Sequence, residues 1–96
     1  MTATTSRVLI IDDDERLNAL LTEYLGKFGY SVRAATRPSA GLRTLKSDPP
    51  DLVILDVMLP EMDGFELFRR LRQKYPALPV LMLTARGDDL NTILGL

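Results

Sequence analysis

The sequence predicts an α/β domain in which a parallel sheet carries helices on both faces. Three observations lead there. Short unbroken apolar runs recur at Val8–Ile11, Leu52–Leu55 and Val80–Leu83, the pattern of strands covered on both sides. Stretches of helical spacing separate them, and Gly and Pro stand at the junctions. Strands that alternate with helices are joined by right-handed crossovers, which makes the sheet parallel.

The elements follow in order. After the strand at Val8–Ile11, the residues Leu17, Leu20, Leu21, Tyr24, Leu25 and Phe28 recur at helical spacing, and Gly29 stands where a C-terminal cap belongs. Tyr30, Val32 and Ala34 alternate with Ser31, Arg33 and Ala35, which predicts a strand with one more exposed face. Pro38 suits the first turn of a second helix. That helix runs to about Ser47, with Ala40, Leu42 and Leu45 inward, and Asp48-Pro49-Pro50 breaks it. Leu52–Leu55 is the next strand and ends at Asp56. Gly64 opens a third helix, in which Phe65, Phe68 and Leu71 share a face with Leu67 beside them. Pro76 and Pro79 bracket its exit, and Val80–Leu83 forms the fourth strand. Gly87-Asp88-Asp89 predicts the start of a fourth helix.

Composition narrows the function. Ninety-six residues make one domain, and 46% hydrophobic with 26% charged residues describes a folded chain. A net charge of −1 leaves no basic excess to neutralise a phosphate backbone. Direct nucleic-acid binding by these residues is therefore not expected. The run Arg69, Arg70, Arg72 and Lys74 reads as a solvated helix face. Cysteine and histidine are both absent, which excludes disulfides, thiolate zinc sites, thiol catalysis, Ser-His centres and a phosphohistidine on this chain. No apolar run approaches the roughly 20 residues of a membrane span. The polar start, Met1–Arg7, does not read as a signal peptide, so a cytoplasmic location is expected.

In open parallel sheets, ligands sit outside the carboxyl ends of the strands. The first strand ends in Asp12-Asp13-Asp14-Glu15, the third in Asp56 and the fourth in Thr84-Ala85. Asp14 and Glu15 are accounted for by a helix N-terminus, with Asp14 as its cap. Asp12 and Asp13 are not, because like charges facing Asp56 are costly unless a cation or proton compensates. A hard divalent cation, Mg²⁺ first, is the natural partner of such oxygens. Asp56 is placed as an acyl-phosphate nucleophile. Thr84 is either a hydroxyl for a phosphoryl oxygen or a loop cap.

Val8-Leu-Ile-Ile-Asp-Asp-Asp14, Leu55-Asp-Val-Met-Leu-Pro-Glu-Met-Asp-Gly64 and Leu83-Thr-Ala85 together resemble the receiver (CheY-like) domain of two-component response regulators, in its OmpR/PhoB-like group. The resemblance covers residues 7–96, with 1–6 as a flexible tail. It implies the flavodoxin-like, doubly wound parallel sheet in the order 2-1-3-4-5. By that resemblance Asp56 is the phosphoacceptor and also a metal ligand, Asp12 and Asp13 are the acidic pair that organises Mg²⁺, with Asp13 the more direct of the two, and Met58 offers its backbone carbonyl to the metal. Thr84 is the switch hydroxyl and Ala85 the small residue beside it.

The family also carries a fifth strand with a Lys near the phosphoryl group, an aromatic switch residue and a fifth helix. None of these is present up to Leu96, and Lys46 and Lys74 stand in the wrong chain order to substitute. The expectation is a receiver with four of five βα units, C-terminally incomplete. Its function would be to take a phosphoryl group from a sensor histidine kinase onto Asp56, not to act as an enzyme beyond its own phosphorylation and dephosphorylation. DNA is the expected target of the full-length parent. Two alternatives differ in class: a chemically inactive interaction module, and an aspartyl-phosphate phosphohydrolase. The second expects an Asp two residues after the nucleophile, where Met58 stands. An apolar edge at Pro79–Leu83 predicts self-association by dimerisation or strand exchange.

Overall fold

The Val8–Ile11 run forms the middle of the sheet because its side chains alternate between two apolar layers. The computed structural model describes residues 6–83. Within them lie β1 (Arg7–Ile11), α1 (Glu15–Gly26), β2 (Ser31–Ala35), α2 (Pro38–Ser47), β3 (Leu52–Asp56), α3 (Gly64–Lys74) and β4 (Val80–Leu83). All strand pairings are parallel, in the order β2-β1-β3-β4. This is the expected order as far as β4, with β2 and β4 at the ends of the described sheet.

Each strand feeds both layers. Val8, Ile10 and Ile54 face α1, where Leu21 and Leu25 pack on them. Leu9, Ile11, Val53 and Leu55 face α2 and α3, and meet Leu45, Leu67 and Leu71. The strand residues are almost wholly buried, which is why the runs are continuous rather than alternating. β2 is at the sheet edge, and only its Ala35 is buried.

Two helix faces differ from expectation. In α1 the inward stripe is Leu21 and Leu25 with Asn18, whereas Leu20, Tyr24 and Phe28 are exposed at 65%, 57% and 64%. At 100° per residue, that second stripe is turned away from the sheet. Tyr24 and Phe28 meet edge to face, with ring centroids 5.2 Å apart. In α3 the buried pair is Leu67 and Leu71, one turn apart. Phe65 points outward, and Phe68 is half-buried beneath the Arg72 guanidinium at 5.2 Å.

The ends of the helices follow the sequence. Asp14 accepts from the Leu17 N–H at 3.1 Å, and Asp63 from the Glu66 N–H at 2.8 Å. α1 proper ends at Gly26, and the chain then tightens. The N–H of Tyr30 reaches the Leu25 carbonyl, and that of Gly29 the Gly26 carbonyl, with Gly29 at φ 88°. That left-handed step is the closure expected of Gly29. The N-terminal edge is tied by Asp48, which pairs with Arg7 and Arg33, and by Asp51, which accepts from the Arg7 N–H. None of the described helices is long and apolar enough to cross a membrane. Thr84, Ala85 and the fourth helix predicted at Gly87 lie outside the described residues.

Candidate functional site

Strand register builds the site. Ile11 stands opposite Leu55 in the β1–β3 ladder, so Asp12 and Asp56 are the next residues of neighbouring parallel strands at the carboxyl edge. Asp13 follows Asp12 as the chain turns into α1. Carboxylate oxygens of Asp12, Asp13 and Asp56 lie within 4.8 Å of one another. The three acids expected to converge do converge.

Their surroundings differ. Asp12 is buried, Asp56 half-buried and Asp13 exposed. The Asp12 carboxylate accepts from the Asp14 N–H at 2.9 Å, a bond that turns the chain toward α1. Burial, with the Asp56, Asp13 and Asp14 charges adding to it, pushes the Asp12 carboxyl above the ordinary carboxylate range despite that bond. Burial also raises Asp56. The N–H groups of Met58 and Val57 pull it back, and the charges of Asp13 and Asp14 push it up again. Asp12 and Asp56 thus resist ionising where they stand. Hard, anionic oxygens crowded this closely suit a small dication that takes a few carboxylates and completes its shell with water and phosphate oxygens. The donor set fits Mg²⁺.

The loop after Asp56 leaves its helix-forming neighbours to do the positioning. Met58 is 72% exposed, so its side chain contributes little to the packing. The β3–α3 connection closes when the Gly64 N–H meets the Val57 carbonyl at 2.7 Å. Gly64 is buried there, and a Cβ on it would run into the Asp56 carbonyl oxygen and stand 2.8 Å from the Val57 Cα. Glu61 holds a left-handed φ of 71°. Its carboxylate accepts from the Ser39 N–H at 2.9 Å and the Ser39 hydroxyl at 3.0 Å. These bonds hold the Glu61 carboxyl below the ordinary range and tie the site loop to the first turn of α2.

Sequence reasoning missed three of these supports. Asn18 is buried and donates to the Asp12 carbonyl at 2.8 Å. Its signal was present: it is a polar residue in the inward i, i+3, i+7 stripe with Leu21 and Leu25. The Glu61–Ser39 clamp spans 22 residues and has no local signature. Gly64 was read only as a helix start, although its role is close approach. Thr84 and Ala85, the expected switch hydroxyl and its small neighbour, fall outside the described residues.

Comparison with known proteins agrees with this geometry. The family model for the response regulator receiver domain matches residues 8–95. The chain is 40% identical over 90 residues to the alkaline phosphatase synthesis transcriptional regulatory protein PhoP of Bacillus subtilis, covering 94% of this chain and 38% of that protein. It is 43% identical over 89 residues to the transcriptional regulatory protein AfsQ1 of Streptomyces coelicolor, covering 93% and 39%. The chain therefore spans about two-fifths of the length of these relatives. Among solved structures, a response regulator from Chloroflexus aurantiacus superposes with a TM-score of 0.83 at 40% identity, over 88% of this chain and 71% of that one. TrrA of Thermotoga maritima, solved with Mg²⁺ and BeF, gives 0.82 at 32% identity, over 88% and 73%.

Proposed function

This chain belongs to the response regulator receiver domain family, and from that premise we propose that it is the phosphoacceptor of a transcriptional regulator, phosphorylated on Asp56 by a histidine kinase. Receiver domains of response regulators are signalling modules. The observation that carries the reading is the meeting of Asp12, Asp13 and Asp56 at the carboxyl edge of adjacent strands, within 4.8 Å.

An Asp56 carboxylate oxygen attacks the phosphorus of a phosphohistidine in line. The P–N bond breaks, its electron pair leaves with the donor imidazole, and Asp56 carries an acyl phosphate. Asp12, Asp13 and the Met58 backbone carbonyl would hold Mg²⁺, which supplies neutralisation of charge on the transferring group. The chain's own part is placement. The β1–β3 register sets Asp56 beside Asp12, the Asn18 amide secures the Asp12 carbonyl, and Gly64 lets the first turn of α3 close under Asp56. Thr84 completes the reading as the hydroxyl that meets the phosphoryl group, with Ala85 leaving room beside it. The added charge of about −1.5 to −2 biases a two-state surface, which in a full-length regulator would govern an attached DNA-binding domain. These 96 residues contain no histidine, so the phosphohistidine lies outside them.

Incubation with Mg²⁺ and acetyl phosphate should add one phosphoryl mass to the protein, lost in Asp56→Asn. Labelling of the Asn variant at the wild-type level would overturn the assignment.

A further inference from the structure

The basic run on α3 does not stand alone as a solvated face. Half of it closes a cleft of about 370 Å³ against α2. Arg43 and Lys46 line it from α2, Arg70 and Lys74 from α3, and no carboxylate lines it. Its floor is apolar: Leu42, the buried Leu71 and the half-buried Tyr75. Apart from Leu42, at the middle of α2, they belong to the C-terminal halves of the two helices or follow them. Because each helix runs antiparallel to the strands, this is the opposite end of the sheet from Asp12, Asp13 and Asp56.

Ordinary structural roles leave part of this cluster unexplained. Lys46 and Lys74 sit in last turns, where cations complement the helix dipole, but Arg43 and Arg70 do not. Arg72 is spent on the Pro76 and Leu78 carbonyls at 2.9 and 2.7 Å and faces elsewhere. Arg70 shares Glu66 with Arg69. Arg43 and Lys46 form no ion pair or side-chain hydrogen bond among the described residues, and Lys74 only stands 5.8 Å over the Tyr75 ring. Like charges round one cleft repel each other; Glu66, shared by Arg69 and Arg70, and the helix ends, about half a charge each, offset this only in part. An anion placed among them relieves that repulsion.

We propose that the α2–α3 cleft binds a small phosphorylated ligand with an apolar or aromatic body, of the nucleoside diphosphate class. The volume lies in the range of small-molecule sites, roughly 300–1,000 Å³. Arg43, Lys46 and Lys74, with Arg70 beside them, face the charge of the phosphates, and the floor of Leu42, Leu71 and Tyr75 receives the uncharged part. An acidic peptide would spread its charge over a longer surface than this cleft offers.

The test is calorimetric titration of the whole chain with ADP in EDTA, which takes the acidic edge and Mg²⁺ out of play. Adenosine, pyrophosphate and a poly-glutamate peptide serve as comparisons. ADP should bind at about 1 mM or tighter, pyrophosphate more weakly, and adenosine not measurably. The Lys46→Gln/Lys74→Gln variant, with an unchanged circular dichroism spectrum, should lose at least about tenfold in affinity, and Arg69→Gln, outside the cleft, should not. Equal ADP binding by wild type and the Lys46/Lys74 variant would overturn the site. So would peptide binding without ADP binding, in favour of a protein partner. Neither result depends on phosphorylation of Asp56.

Discussion

Adding one methyl group at Gly64 tests how the phosphoacceptor strand is held. In Gly64→Ala, the new Cβ meets the Asp56 carbonyl oxygen, with the Val57 Cα at 2.8 Å and the Asp56 carbonyl carbon at 3.0 Å. All three neighbours are backbone, so no rotamer change relieves the contact. Either α3 must withdraw from β3, breaking the Gly64 to Val57 bond, or Asp56 must move. Overpacking of this kind costs about 1–3 kcal/mol, and the immovable partners place Gly64→Ala near the top of that range. A gain of about 0.5–1 kcal/mol for replacing Gly in a helix offsets part of it. The net loss is about 2 kcal/mol, or a fall in melting temperature of roughly 8–16 °C for a domain of this size.

Two other glycines serve as internal controls. Gly26 has nothing within 4 Å of a built Cβ, so Gly26→Ala should be neutral or stabilising by a few tenths of a kcal/mol. Gly41 is intermediate: its Cβ would come within 2.5 Å of Ile11 Cδ1, a side-chain end in a fully buried layer. Urea denaturation should rank the variants Gly26, Gly41, Gly64 from most to least stable. Mg²⁺ should stabilise Gly64→Ala less than wild type, because the same clash displaces Asp56. Gly64→Ala within about 0.5 kcal/mol of wild type would refute the close-approach reasoning.

Two further predictions concern charge and core. Because the folded-state pKa of Asp12 is raised, the folded chain binds more protons than the unfolded one between the ordinary carboxylate range and that raised value. The Asp12 contribution to metal-free stability is therefore fully present below this window and is lost as pH rises through it. Asp12→Asn should flatten the decline and stabilise the metal-free protein at neutral pH, while blunting the roughly 2.7 kcal/mol that Mg²⁺ at a hundredfold excess over Kd gives wild type. Lower metal-free stability of the Asn variant at neutral pH would contradict this. In α3, Leu67→Ala should cost about 2–5 kcal/mol and Phe65→Ala less than about 0.5. Equal losses in urea melts would mean that the helix face is misassigned.

The strands and the acidic triad were legible because they rest on residue type and short spacing. A double-sided strand must be a continuous apolar run, and Val8–Ile11 and Leu52–Leu55 are. Acids directly after two such runs meet wherever the runs are neighbours in parallel register. Helix faces were less legible, because α1 and α3 each carry two apolar stripes and sequence spacing does not say which faces the sheet. Tyr24 and Phe65 are as apolar as Leu25 and Leu67, yet only the leucines are taken into the core. Contacts across the chain were not legible at all. Nothing near Glu61 announces Ser39, and a glycine required for approach to Asp56 looks like one required for a turn.

Net charge concealed the most. A value of −1 describes a near-neutral chain, but the fold sorts its charges by direction. Residues that follow strands gather at the carboxyl edge, where Asp12, Asp13, Asp14 and Asp56 stand. Residues late in α2 and α3 gather at the other end, where Arg43, Lys46, Arg70 and Lys74 stand. In a parallel α/β sheet the two groups cannot meet, because helices and strands run in opposite senses. Opposite charges that would cancel in a mixed surface are thus kept apart by the length of a strand. The acidic edge is left to a cation, whereas the other end is already partly neutralised by Glu66 on Arg70 and by Asp48 on Arg7 and Arg33.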